Sequence, residues 1–389
     1  MSTIPLLDPD FILARAHRET GLTALDGPDL ETPLRVLCAS LQSEARLTTA
    51  GVAFWHERLT GILKTRLRTA LAFAQHPEIL TGKIVAPIII LGLTRTGTTL
   101  LQRLLAADTR LLSVAWWESR FPAPLPGDTD GSQRITAARL EIAGMLAAQP
   151  DLAAMHPWDA TGADEDIMLL DQTLLSGTTE ALACVPTYRA WLATQDLRGA
   201  YTYLRQLLQF LLWQKQQRGV TGERWLLKTP MHLGYVDLLA ELFPDALFVQ
   251  THRDPISSVP SYASMVHGLW LGTSPEASPK VAGEHASGYL ETLLNRCLAA
   301  RTARPDLAFV DVDFRQTVSH PLGVVERIYA KAGLPLTAAA RAAIVAYSAS
   351  HPREARPRHD YTLAQFGLEE DDLLERFRAY RERHILPFP

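Results

Sequence analysis

The sequence predicts an α/β fold with a central parallel sheet, and two observations support this prediction. Short β-branched or apolar runs alternate along the chain with longer segments in which apolar residues recur every three or four positions. Strands that alternate with helices in this manner form parallel sheets whose strands are joined by crossover helices. The chain has 389 residues, of which 47% are hydrophobic, and this is enough for one large core or two smaller ones.

The individual elements follow from the same patterns. Residues 85–91 are a β-branched run that ends at Gly92 and indicates a buried parallel strand, and the apolar series within residues 100–105 indicates a helix directly after it. Further strands are predicted at residues 225–227, 247–251 and 308–312, helices at 30–47, 52–74, 233–243, 322–332 and 373–385, a mostly helical region at 133–218, and a loop at 123–132.

Charge and cysteine content exclude several functional classes. The formal net charge is −4, so no overall basic field exists to bind nucleic acid, and any polyanion must be held by a local basic cluster. The three cysteines, Cys38, Cys184 and Cys297, match no metal spacing and no disulfide framework of a secreted domain. The N-terminal segment is acidic rather than basic, and no apolar run approaches the roughly 20 residues of a membrane span. We expect a cytoplasmic protein without a metal, a nucleic-acid partner or a membrane span.

The segment Gly92–Thr99 follows the first predicted strand and opens a helix, as a phosphate-binding loop does. Glycines let backbone N–H groups turn inward, and the helix N-terminus adds partial positive charge. The Gly-x4-Gly spacing resembles the loop of nucleoside triphosphatases, but Thr98 stands where their lysine would be, and a positive charge lies instead at Arg95. A γ-phosphate bridged by Mg²⁺ is therefore disfavoured, and the alternative without a ligand is a simple strand–helix turn.

Several motifs together resemble the PAPS-dependent sulfotransferases. Residues 86–101 resemble the family's 5′-phosphosulfate loop, and their Arg-Thr-Gly-Thr-Thr-Leu form is similar to the bacterial branch related to tyrosylprotein sulfotransferases. Residues 248–261 resemble the 3′-phosphate motif, in which Arg253 leaves a strand and Ser261 follows eight positions later. The two motifs occur in order, with Arg95 and Arg253 158 positions apart, and this combination is specific. Weaker similarities lie at residues 225–230, 312–334 and 358–368, so that the resemblance covers residues 84–385.

The resemblance implies a fold, a domain organisation and an activity. The fold would be a P-loop-like three-layer α/β fold with additional N-terminal and cap helices. Residues 1–82 would form an N-terminal helical region, and residues 83–389 would form the sulfotransferase domain with a helical acceptor cap at about 133–218 and a helical tail. The activity would be transfer of a sulfuryl group from PAPS to a hydroxyl acceptor, giving PAP and a sulfate ester without a metal. The acceptor would be a small or lipid-like molecule, and neither its identity nor the oligomeric state can be inferred from the sequence.

The resemblance also assigns the donor-binding residues. The phosphosulfate would be bound by the loop residues Arg95, Thr96, Gly97, Thr98 and Thr99. The 3′-phosphate would be bound by Arg253 and Ser261, because the arginine fork matches phosphate oxygens and the serine adds a neutral donor. Arg358 belongs to a basic run that would close over the 3′-phosphate, although a solvated loop fits that run equally well.

The catalytic residues are assigned in the same way. Lys228 and Arg95 match the family's catalytic cations, which neutralise charge on the leaving phosphate. Glu118 lies 23 residues after Arg95, which matches the position of the general base in the tyrosylprotein branch. A histidine base is the alternative, and the candidates are His156, His232, His252 and His267.

Two further questions stay open at this level. The acidic run Asp164-Glu165-Asp166 fits an acid cluster at a helix N-terminus better than a site that orients an acceptor or a cation. A P-loop nucleotide kinase or ATPase, and a non-catalytic PAP-binding module, are the alternative functions. Dependence on Mg²⁺ would distinguish the kinase, and PAP binding without turnover would distinguish the module.

Overall fold

The computed structural model describes residues 7–351 and 361–387, and its centre is a parallel sheet. The sheet has five strands in the order β2-β3-β1-β4-β5, and every adjacent pair is parallel. The strands are β1 Ile88–Gly92, β2 Leu111–Ser113, β3 Arg224–Lys228, β4 Leu247–His252 and β5 Phe309–Asp313. The predicted α/β fold with a central parallel sheet is therefore confirmed.

Helices connect the strands and extend beyond them at both ends of the chain. The helices of the described residues are α1 Pro9–Thr20, α2 Glu31–Glu44, α3 Thr49–Gln75, α4 Thr98–Ala106, α5 Trp116–Arg120, α6 Ser132–Ala148, α7 Leu152–Met155, α8 Ile167–Asp171, α9 Thr178–Leu182, α10 Pro186–Leu192, α11 Arg198–Gln217, α12 Val236–Leu242, α13 Pro255–Leu271, α14 Pro279–Ala303, α15 Phe314–Ser319, α16 Pro321–Ala332, α17 Ala338–Ser350, α18 Glu370–Arg376 and α19 Arg378–His384. Short 3₁₀ helices lie at Pro77–Thr81, Pro230–Tyr235 and Ala364–Phe366.

The differences from the predicted elements have local causes. The first strand begins at Ile88 rather than at residue 85, because Ala86 adopts a left-handed conformation with φ of 41°. Strand β2 was not predicted, since three residues are too few to show a period. The helix expected at 233–243 begins as the 3₁₀ helix Pro230–Tyr235, and the tail helix is interrupted at Phe377.

The core has a three-layer arrangement because both faces of the sheet are covered. Along β1 the side chains alternate: Ile89 and Leu91 pack into a large cluster with the N-terminal helices, whereas Ile88 and Ile90 pack into a second cluster with α4 and α16. Trp55 of α3 belongs to the large cluster, so the N-terminal helices share a core with the sheet. The division at residue 82 stays a prediction. Among the described residues, every helix is too short or too polar to cross a bilayer.

The strand register brings the ends of three strands to one edge. Gly92 at the end of β1 pairs with Thr251 of β4, and Ile90 pairs with Lys228 at the end of β3. In open parallel sheets ligands bind at the carboxyl ends of the strands, where the chain order reverses. In this sheet the chain passes from β1 to the outer strand β2, returns to β3 and then crosses to β4 and β5 on the other side of β1. The loop after β1, Lys228 and Arg253 lie at that edge.

Candidate functional site

The loop between β1 and α4 is a tight turn that exposes backbone donors. Arg95 and Gly97 both have positive φ, at 67° and 84°. Helix α4 starts at Thr98 without a side-chain cap, so its first N–H groups lack partners within the helix. Together with the partial positive charge of the helix terminus, these donors suit an anion.

Two glycines in this segment are required by close contacts. A Cβ at Gly92 would lie 2.1 Å from Oγ1 of Thr251, and a Cβ at Gly97 would lie 2.8 Å from the ring of Phe314. Any larger residue would therefore displace the loop from β4 or from α15.

The threonines of the loop have different surroundings. Thr96 is fully buried, its hydroxyl donates to the Leu93 carbonyl at 2.6 Å, and its Oγ1 lies 2.7 Å from Oγ1 of Thr251. Its backbone N–H also donates to the Leu93 carbonyl. The structure thus uses Thr96 to hold the loop on β4. The hydroxyl of Thr99 instead accepts a hydrogen bond from Lys228, at 3.2 Å.

Lys228 lies at the centre of this edge, and its partner is Glu165. The ammonium is fully buried and donates to Oε1 of Glu165 at 2.7 Å. The other carboxylate oxygen accepts from the hydroxyl of Thr229 at 3.3 Å. The Glu165 side chain keeps 25% exposure, so that a carboxylate beside the buried cation remains accessible from solvent.

The two neighbours of Glu165 are fixed by histidines. Asp164 accepts from Nε2 of His156 at 2.8 Å, and Asp166 pairs with Nε2 of His232 at 2.9 Å. Burial would raise the pKa of Asp164, but the charge and hydrogen bond of His156, with the charge of Lys228, outweigh it and hold this pKa at about 2. Nδ1 of His232 lies in turn 3.2 Å from the Tyr201 hydroxyl.

The run lies directly before α8, at a helix N-terminus as the sequence favoured. Asp166 is the N-cap of α8, but its side chain makes no cap hydrogen bond and pairs with His232 instead. The two outer acids therefore flank Glu165 with fixed side chains. The partners of Glu165 and Asp166 lie 63 and 66 positions away along the chain, so the spacing within the run did not indicate them.

The second predicted anion site lies at the end of β4. Nη1 of Arg253 donates to the backbone carbonyl of Arg95 at 2.9 Å, and its guanidinium stacks over the Phe314 ring at 4.8 Å. Ser261 is buried two turns into α13. The structure therefore brings the side chain of Arg253 to the backbone of Arg95. Arg358 lies outside the described residues.

The C-terminal helix α19 holds both neighbours of Arg253. Arg381 forms a bidentate pair with Asp254, with Nη2–Oδ2 at 3.0 Å. The hydroxyl of Tyr380 lies 2.8 Å from Nδ1 of His252, and the ring of His384 stacks on the His252 ring with centroids 4.5 Å apart. The turn that presents Arg253 is thus fixed from the far end of the chain.

Asp311 completes the surroundings of this turn. Its Oδ1 lies 2.8 Å from Nε2 of His252, and both its oxygens are bound by Arg301 at 2.7 and 2.9 Å. His252, Asp311 and His384 are close enough to hold a cation. Because Arg301 already neutralises the carboxylate of Asp311, these three side chains do not favour binding of a cation.

Glu118 has an environment different from that of Glu165. Its carboxylate is buried and accepts from Lys215 at 2.6 Å and from Arg218 at 2.8 Å, both on or directly after α11. It also accepts from the backbone N–H of Ala115 at 3.1 Å. Both carboxylate oxygens of Glu118 are thus already bound by cations. The base role of Glu118 stays a prediction, and its contacts do not support it.

The rival histidines are also occupied. His156 and His232 are bound to aspartates as described, His252 to Asp311 and Tyr380, and Nε2 of His267 lies 3.1 Å from the Ala277 carbonyl.

Comparisons with known proteins agree on one family. A family model described as the sulfotransferase family matches residues 87–338. The omega-hydroxy-beta-dihydromenaquinone-9 sulfotransferase Stf3 of Mycobacterium bovis is 25% identical over 305 residues, covering 72% of this chain and 72% of that protein. The crystal structure of sulfotransferase STF1 from Mycobacterium tuberculosis H37Rv superposes with a TM-score of 0.83 at 32% identity, covering 97% of this chain and 100% of that one. Sulfotransferase STF9 from Mycobacterium avium gives a TM-score of 0.85 at 25% identity, with 98% of both chains covered.

We expect Glu118→Ala to lower the free energy of unfolding by about 3–5 kcal/mol, because it leaves the buried Lys215 and the partly buried Arg218 without their carboxylate. Urea denaturation measures this loss. In a Lys215→Met background the cost of Glu118→Ala should be smaller, because one unpaired charge is gone. A loss below about 1 kcal/mol in the wild-type background would show that the pairs behave as exposed ones.

We also expect acid to destabilise the contact between α19 and β4. Burial, with the charges of His252, Arg301 and Arg383, lowers the pKa of His384 to about 4 against the opposing charge of Asp311. The unfolded chain therefore binds a proton between pH 6.5 and 4 that the folded chain does not, so stability falls as the pH falls through this window. Denaturation midpoints across it should have a smaller slope in His384→Phe, and an equal slope would contradict this prediction.

Proposed function

The chain belongs to the sulfotransferase family, and on that premise we propose that it moves a sulfuryl group from PAPS to a hydroxyl acceptor, releasing PAP and a sulfate ester. The family establishes a transferase of sulfuryl groups, as the sequence predicted. The identity of the nucleotide donor, the roles of the site residues and the class of acceptor are our proposals. A nucleotide kinase or ATPase is set aside by the family.

Two anion sites at one sheet edge support PAPS as the donor. The loop Gly92–Thr99 offers backbone donors and a helix terminus for the phosphosulfate. Arg253, with Ser261 on the following helix, suits the 3′-phosphate. Since Arg253 donates to the carbonyl of Arg95, the two sites adjoin, as one nucleotide with phosphates at both ends requires. Thr96 contributes by holding the loop, whereas Gly97, Thr98 and Thr99 begin the helix that faces the anion.

Lys228 is the observation that carries the proposal. Its ammonium lies at the end of β3 within hydrogen-bond distance of both Thr99 and Glu165. It thus stands between the helix terminus that would hold the phosphosulfate and an accessible carboxylate. A cation at this point would neutralise charge on the leaving phosphate oxygen, with Arg95 assisting.

Glu165 is the general base in this proposal. The acceptor oxygen forms a bond to sulfur, the bond from sulfur to the bridging oxygen of the donor breaks, and its electron pair leaves with PAP. The acceptor proton passes to Glu165. Of the two glutamates considered, Glu165 is the one that contacts Lys228 and stays partly exposed, whereas Glu118 is enclosed by two cations. No metal takes part in these steps.

The acceptor is proposed to be a small or lipid-like alcohol. The Mycobacterium bovis relative is named for a hydroxylated menaquinone, which is a lipid-like acceptor. Residues 133–218, which form α6 to α11, contribute the segment that carries Glu165 and are proposed as the acceptor cap. We place the activity in the cytoplasm, where the sequence predicted it.

We expect Arg253→Ala to weaken PAP binding by about 1.5–3 kcal/mol, the value of a charge-assisted hydrogen bond. Calorimetric titration of PAP measures the change, and the stabilisation of the folded chain by saturating PAP should fall in parallel. The matched control is Arg315→Ala, because Arg315 is exposed and pairs with Asp313 nearby. An unchanged dissociation constant in Arg253→Ala would remove this residue from the donor site, and failure of the wild-type chain to bind PAP would remove the donor.

We expect Glu165→Gln to lower turnover by roughly 10²–10⁴-fold, the usual contribution of a positioned base. The amide keeps the shape of the side chain but cannot take up the acceptor proton, and PAP affinity should change little. Single-turnover rates with an accepted alcohol measure the effect.

Glu118→Gln is the matched control for this experiment. It should alter the free energy of unfolding more than the turnover rate, because its partners are Lys215 and Arg218. If Glu118→Gln is inactive while Glu165→Gln keeps near-normal turnover, the sequence-based assignment of the base to Glu118 is right and this proposal is wrong.

A further inference from the structure

A groove lies away from the sheet edge, between the end of α2, the segment after α9, the end of α13 and the start of α14. Its volume is about 260 Å³, and its apolar lining residues include Trp270, Val281, Ala183 and Cys184. This volume lies just below the roughly 300–1,000 Å³ of small-molecule sites. The groove thus fits a small ligand or one alkyl chain.

A second, smaller cavity continues the groove inward. It has a volume of about 20 Å³ and shares Ala183, Cys184, Trp270 and Val281 with the groove. A space of this size holds roughly one water-sized group. Its polar lining residues are Glu180, Arg189 and His285. The groove itself has a mixed lining, in which Glu44, Arg46 and Glu276 stand beside the apolar residues.

Two buried polar atoms at this inner end lack hydrogen-bond partners among the described residues. They are Oε2 of Glu180 and Nε2 of His285. The two side chains are 5% and 3% exposed as residues, and Oε2 lies 3.7 Å from Nδ1 of His285, beyond hydrogen-bond distance. Unpaired buried polar atoms are costly, so a group that binds there is favoured.

The hydrogen-bonding role of each atom follows from its neighbours. Nη1 of Arg189 lies 2.8 Å from Nδ1 of His285. Because a guanidinium can only donate, Nδ1 is the acceptor and the ring proton is on Nε2. His285 therefore offers an N–H donor, and Oε2 of Glu180 offers an acceptor.

The permanent charge at the inner end is that of Arg189, whose guanidinium already donates to Nδ1 of His285. Burial lowers the pKa of His285 to about 3, with the charge of Arg189 acting in the same direction. Burial also raises the pKa of Glu180 to about 7, against the opposing charge of Arg189. Near neutral pH His285 is therefore uncharged and Glu180 is only partly ionised, so neither unpaired atom belongs to a permanently charged group.

We propose that this groove binds a neutral alcohol, whose hydroxyl occupies the inner cavity and whose alkyl chain lies along Trp270 and Val281. A hydroxyl is the group that can accept from Nε2 of His285 and donate to Oε2 of Glu180 at once. The site is distinct from the centre at Lys228 and does not depend on the donor assignment.

The groove contacts the helix that also carries Ser261. The ring of Tyr262, next to Ser261, lies 6.2 Å from the His285 ring, and both rings stack with Tyr289 at 5.8 Å. Trp270 on the same helix donates through Nε1 to the Glu180 carbonyl at 3.0 Å. A ligand in the groove therefore packs against α13 at its end remote from Arg253.

The test compares three probes on the full chain without PAP: 1-octanol, methyl octyl ether and octane. Octanol should bind at least about fivefold more tightly than the ether, which cannot donate, and the ether more tightly than octane. Competition titration gives the affinities. Equal affinities for the three probes would overturn the proposal. Failure of octanol to bind would also overturn it, because water rather than an alcohol would then occupy the inner cavity.

Cys184 provides a second readout, because it is partly exposed in the groove whereas Cys38 and Cys297 are buried. Octanol should slow alkylation of Cys184 without affecting the other two thiols. Alkylation of Cys184 that is unchanged at saturating octanol would place the alcohol elsewhere and overturn the proposal.

A groove-filling variant locates the site. Ala183→Leu, at the junction of the two cavities, should weaken octanol binding at least about tenfold, and the exposed Ala339→Leu on α17 is the control. His285→Phe should remove the preference for octanol over the ether. Octanol binding that is unchanged in a folded Ala183→Leu chain contradicts the proposal, while PAP binding tests the donor assignment separately.

Discussion

Burying the ammonium of Lys228 at the end of β3 is costly unless a carboxylate neutralises it, and Glu165 does so at 2.7 Å. Glu165 can hold this position because its neighbours are fixed, Asp164 by His156 and Asp166 by His232. The buried cation and the carboxylate beside it are therefore a single unit. Thr99 in the first turn of α4 and Thr229 after β3 both form hydrogen bonds with this pair.

The second cation of the site is positioned by a different device. Arg253 leaves β4 in a turn whose two flanking residues are held by α19, through the Arg381–Asp254 pair and the stacked rings of His252 and His384. The position of the turn that presents Arg253 therefore depends on the packing of α19 against it. The site is thus built from rigid strand ends and from two distant segments that fix side chains on them.

The strands and the phosphate loop were predictable because their signals are local. A β-branched run before Gly92 and an apolar run before Arg253 each specify a buried strand and the turn at its carboxyl end. The edge strand β2 was missed because three residues show no period. The surroundings of Glu118 were not predictable: its ion pairs with Lys215 and Arg218 join residues about 100 positions apart, and no spacing in the sequence indicates them.

The sequence by itself determined the parallel sheet, the glycine loop and the two basic residues at strand ends, because each depends on residues adjacent in the chain. Only the tertiary structure decided which carboxylate meets Lys228 and what holds His252. Glu165 and Lys228 are 63 positions apart, and His252 and Tyr380 are 128 apart. Pairs at such separations depend on how the helices pack on the sheet, and patterns of neighbouring residues in the sequence do not predict that packing.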